Sequence, residues 1–123
     1  MSEELHEFKI SLPPIVATFR WWNTPDAEKD EYLARQGGAE LGRTLGRRYA
    51  TDAETRENLP EALQEIADGL VAARVEMVAA GVDEQSAAGF VESFALGFGT
   101  FMPGTVLPFR PVAALTDQGS TTR

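Results

Sequence analysis

The chain has 123 residues, with 43% apolar and 24% charged residues, no cysteine and a formal net charge of -8. That length suits one domain with its own core, and the composition excludes wholesale disorder and a membrane-embedded chain. Without cysteine there are no disulfides, thiolate metal sites or cysteine nucleophiles, and the acidity argues against nucleic-acid binding, which needs Lys and Arg to meet phosphates.

No basic, apolar leader opens the sequence, so a cytoplasmic location is expected. Residues 1–13 read as an N-terminal extended arm, polar at first. Phe8-Lys9-Ile10-Ser11-Leu12 then alternates like a half-buried strand. No second convincing strand follows, so the arm is expected to lie on a neighbouring surface or form the edge of an intermolecular sheet. Pro13 and Pro14 break it, and Ile15, Val16, Phe19 and Trp22 fall at helical spacing behind them, which predicts a short helix ending near Trp22. Trp21 and Trp22 are adjacent, so a helix buries one and exposes the other.

Thr24 as cap, Pro25 in first position and an acidic first turn predict a long helix over about 25–50. Small residues recur along it at Ala34, Gly38, Gly42, Gly46 and Ala50. Each interior glycine costs about 1 kcal/mol relative to alanine. A helix continuous through Gly37-Gly38 therefore needs close packing against another helix to offset the loss, and a break at that pair is the alternative.

Thr51 and Glu54 have capping-box spacing for a short turn, and Asn58 with Glu61 opens a helix over about 58–81. Its stripe is Leu59, Leu63, Ile66, Leu70, Ala73 and Met77. Gly81 ends it and Asp83 caps a helix over about 84–102, giving an antiparallel hairpin. From Ser86 to Met102 this last helix carries one charge, Glu92, beside a ridge of Phe90, Phe94, Phe98 and Phe101, so it belongs in the core. Residues 103–123 read as a second arm: Pro103-Gly104 stops the helix, an apolar Pro-rich stretch follows, and the polar tail from Asp117 is expected to be mobile. The expected fold is all-α, a small bundle of three main helices over residues 14–102 with a short N-terminal helix and an extended arm at each end.

The catalytic inventory is thin. His6 is the sole histidine, which excludes histidine metal sites and Ser-His-Asp triads. No glycine loop for phosphate, no cofactor and no metal site are expected. Glu92 would be a candidate acid or base if buried, but it lies opposite the phenylalanine ridge, where the helix reaches water. Arg43 and Arg47, with Arg35 and Arg48, form the one positive patch, suited to a carboxylate or phosphate but more commonly paired with neighbouring acids such as Asp52–Asp68.

These features predict a non-catalytic protein-interaction domain, acting as a homo-oligomer or as an accessory subunit of a larger complex, with no nucleic-acid or membrane partner. The expected interface is Phe8, Ile10, Leu12, Trp21, the groove of Gly38, Gly42 and Gly46, and Val106, Leu107 and Phe109. The alternative is a small apolar-ligand-binding protein or cofactor-free enzyme, with a pocket lined by Phe90, Phe94 and Phe98 and polar contacts from Tyr32, Arg43, Arg47 and Glu92. A third reading is an acidic mimic or inhibitor of a basic site, using residues 52–68.

Overall fold

A computed structural model describes residues 5–22 and 24–109. It corrects the all-α expectation: a two-stranded antiparallel hairpin lies against a helical layer, and the fold is mostly helical with a small sheet. The polar lead-in over residues 1–4, and the arm and tail beyond Phe109, lie outside the described residues.

Strand β1 spans Leu5–Leu12 and β2 spans Ile15–Trp22, in register from Leu12↔Ile15 to Leu5↔Trp22. The segment expected as a short helix is therefore β2. Its apolar residues do fall at helical spacing, but most of them are β-branched or aromatic and fit a pleated surface. A strand buries alternate residues: Ile15, Ala17, Phe19 and Trp21 face the core, while Val16, Thr18, Arg20 and Trp22 face out. Pro13 and Pro14 form the turn between strands instead of opening a helix. The N-terminal arm thus finds its pairing partner within the same chain, and Phe8, Ile10 and Leu12 enter the core.

Four helices follow: α1 (Ala27–Thr51), α2 (Ala53–Glu57), α3 (Leu59–Ala79) and α4 (Glu84–Phe101). Helix α1 is continuous through Gly37-Gly38. Its cap is Asp26, not Thr24, with the carboxylate accepting from the Glu28 and Lys29 amides at 3.0 and 3.2 Å. Asp52, not Thr51, caps α2 in the same way. Asn58 precedes α3 without a side-chain cap bond; its amide donates to the Glu54 carbonyl instead. Helix α3 ends in a Schellman turn, where Gly81 takes φ 108° and the Val82 amide donates to the Met77 carbonyl at 2.9 Å. Asp83 then caps α4, accepting from the Ser86 amide at 3.0 Å.

Helix α4 lies between α1 and α3, and its closest partner is α1. The two run parallel, because Gly38, Gly42 and Gly46 meet the carbonyl oxygens of Phe90, Phe94 and Phe98 in that order. A Cβ on Gly46 would stand 2.8 Å from the Phe98 oxygen, and at Gly38 and Gly42 the approach is closer still. Gly97 faces the Ala39 carbonyl from the other side. The helix axes therefore come together backbone to backbone, and dispersion contacts along the seam offset the weak helix propensity of glycine. The rings of Phe90, Phe94 and Phe98 pack beside the seam, fully buried, each contributing roughly 1.5–3 kcal/mol of hydrophobic stabilisation.

The hairpin rests on this layer. The Phe19 ring packs on Phe90 at a tilt of 46° with ring centres 4.5 Å apart, and β1 leans on α3, where the Ser11 carbonyl oxygen would be 2.5 Å from a Cβ on Gly69. The Tyr49 hydroxyl donates to the Pro13 carbonyl at the hairpin turn. Burial pushes that phenol's pKa up, with a further push from Glu65. None of the described helices is long and apolar enough to cross a membrane.

Candidate protein-docking site

The corner between β2 and α1 is fastened by one buried carboxylate. Asp30, 5% exposed, accepts from the Thr24 amide at 3.0 Å and from its hydroxyl at 2.7 Å. The Thr24 hydroxyl oxygen in turn accepts from the Asp26 amide at 3.1 Å. These bonds hold the end of β2 in place against the first turns of α1, and a groove of about 470 Å³ opens there. Phe19, Trp21, Trp22 and Leu33 supply its apolar walls, and Thr24, Arg20 and Lys29 its polar rim. Strand alternation sends Trp21 inward, 2% exposed, and leaves Trp22 46% exposed at the mouth.

At the other end of β2, Ile15 faces Thr44, Arg47, Arg48 and Thr51 of α1 across a second hollow of about 270 Å³. Between the two hollows, the Phe19 ring fills the space a side chain on Gly37 would need. Helix α1 thus runs antiparallel alongside β2, Lys29 and Leu33 near Trp22 and Arg47 near Ile15, with cationic side chains at both ends. Two of those cations have carboxylate partners: Arg20 pairs with Glu7 at 3.0 Å and Arg48 with Asp52 at 3.6 Å, both in solvent. Arg47 lies over the Phe101 ring, 4.9 Å from its centre, which leaves its charge intact.

The expected interface residues scatter. Phe8, Ile10, Leu12, Trp21 and Leu107 are buried within the chain, and Gly38, Gly42 and Gly46 are filled by α4. Val106 and Phe109 are exposed, held near α3 by the Gln64 side chain donating to the Pro108 carbonyl at 3.1 Å. The expected pocket residues do not converge either. Phe90, Phe94 and Phe98 are core, whereas Tyr32 and Arg43 are exposed on α1. Glu92 is also exposed, 3.2 Å from Arg35. Hydrogen bonding to Glu31, then to Glu92, holds the Arg35 guanidinium above its usual pKa. Among the described residues no three carboxylate or imidazole groups stand together as a metal would need.

Phe19, Arg20, Thr24, Lys29 and Leu33 come together only if residues 15–22 form a strand, and of the two adjacent tryptophans the strand leaves Trp22 exposed, not Trp21. The signal was present in the alternation of Ile15, Ala17, Phe19 and Trp21. Compared with protein-family models, curated proteins and solved structures, the chain matches none.

Proposed function

We propose that this chain is a non-catalytic protein-interaction domain, an accessory subunit or assembly partner that docks through the groove between β2 and α1. The observation that carries the reading is Trp22, half exposed at the mouth of an apolar groove whose walls are locked by the Thr24–Asp30 bonds. A rigid indole beside a preformed apolar hollow offers a large contact area at little entropic loss, the usual anchor of a protein interface. The apolar-pocket reading has less support, since its aromatic ridge is core and its polar groups lie apart.

The test is the mass, by light scattering, of the full-length chain purified from its native host, compared with Trp22→Ala and Leu33→Ala. The expected result is a stoichiometric complex whose affinity falls about tenfold or more in either variant, with the circular dichroism unchanged. A bare monomer, or a complex indifferent to Trp22, sinks the reading.

A further inference from the structure

We infer that the open edge of β2 accepts an extended acidic segment of a partner protein, which adds to the sheet as a third strand along β2. The inference rests on the docking reading above and specifies its mode.

The direction of the backbone groups follows from the ladder. Residues opposite each other in an antiparallel pair either exchange both hydrogen bonds or turn both sets outward. The Ser11 carbonyl oxygen approaches Gly69 of α3, and Ser11 pairs with Val16. Val16 therefore turns its N–H and C=O away from β1, and with a period of two so do Thr18, Arg20 and Trp22. Helix α3 covers the corresponding edge of β1 at Gly69. No hydrogen bond from elsewhere among the described residues reaches the outward backbone groups of β2.

An open edge normally carries a proline, a bulge or a lysine that discourages pairing. Residues 15–22 contain neither proline nor lysine, the register is unbroken, and the single charge, Arg20, turns toward Glu7 of β1. The two hollows lie toward the ends of this edge, with the Phe19–Gly37 contact between them. At about 1.5 Å per residue, α1 from Lys29 to Arg47 covers roughly 27 Å, and at about 3.3 Å per residue β2 covers roughly 23 Å. Where the added strand meets the hollow beside Trp22 and Leu33, its side chains should be apolar.

Charge selects the occupant. The edge has Arg20 and Lys29 at one end and Arg47 and Arg48 at the other, in a chain of net charge -8. Glu7 and Asp52 answer one cation at each end, which leaves Lys29 and Arg47 to receive acids from the incoming strand. A second copy offering its own β2 does not match, because residues 8–22 contain Lys9 and Arg20 and no acid.

The probe is a synthetic peptide alternating valine with glutamate, with a valine–lysine peptide of equal length as control, added to the full-length chain. The readout is amide hydrogen exchange. The glutamate peptide is expected to slow exchange at Val16, Thr18, Arg20 and Trp22 about tenfold or more, and the lysine peptide to leave it unchanged. Thr18→Pro removes one outward donor and should abolish binding. The double variant Lys29→Glu, Arg47→Glu, at exposed positions, should weaken binding about tenfold with the fold intact. Three results overturn the inference: no binding, binding without protection at these four amides, or protection already present in the free chain. In the last case a doubled mass identifies a second copy as the occupant, and an unchanged mass identifies another part of this chain. If association depends on Trp22 while the four amides exchange freely, the docking reading stands and strand addition fails. If association is also indifferent to Trp22, both fail.

Discussion

A methyl group on Gly42 would press into the Phe94 carbonyl oxygen, whereas one on Gly99 would meet nothing within 4 Å. Both glycines sit inside helices, so alanine at either gains about 1 kcal/mol of helix propensity. At position 42 the gain is outweighed, because α1 and α4 must separate along the seam, a strain of about 1–3 kcal/mol. Gly42→Ala is expected to lower the urea midpoint and Gly99→Ala to raise it, with equal slopes. Gly42→Ala matching the parent chain would mean that the seam is loose. The same contrast shows what was legible at this scale. The row of Gly38, Gly42 and Gly46 announced a close helix contact, but which atoms would fill it depends on α4's backbone, which no residue letter records.

Among the elements, α2 is the shortest helix and leans on one residue. The Asp52 carboxylate accepts from the Thr55 hydroxyl at 2.9 Å and from the Glu54 and Thr55 amides at 3.1 and 3.4 Å. The bonds to Thr55 above all, with the Arg48 charge adding to them, hold its pKa below the usual aspartate value. A depressed carboxylate stabilises the fold above its unfolded value of about 3.9, and the contribution is lost as pH falls through the folded value. Asp52→Asn is expected to change little at neutral pH, since asparagine also caps well, and to flatten the loss of stability below about pH 4. An unchanged acid limb in a denaturant series across pH would show that Asp52 is not the responsible group.

Helices α3 and α4 were readable from their apolar stripes, from Gly81 and from the Asp83 cap. The hairpin was not. Ile15, Val16, Phe19 and Trp22 satisfy a helical face as well as a strand does, and a five-residue alternation before Pro13 is too short to claim a partner. The misreading of one element also hid the candidate site, because every β2 side chain in the groove changes direction when the helix becomes a strand.

At the level of the whole molecule, two strands, α1 and α4 meet around Phe19, Phe90 and Gly37. Helices joined by a short loop run antiparallel, but α1 and α4 run parallel, so their facing residues stand roughly fifty apart along the chain. This sets an order of events during synthesis. Helix α1, with glycine at 37, 38, 42 and 46, has too little intrinsic helicity to stand alone, and the surface that rewards it emerges from the ribosome last of the helices. A peptide of residues 25–52 is accordingly expected to show little helix in water by circular dichroism; substantial helix would mean that α1 forms without α4. Until α4 arrives, Phe19 and Trp21 have no complete core to enter, and the growing chain has to keep its most β-prone segment soluble on its own. The two prolines at 13 and 14 and the acids clustered in residues 26–31 flank that segment on either side, the positions where charge and proline best restrain premature pairing.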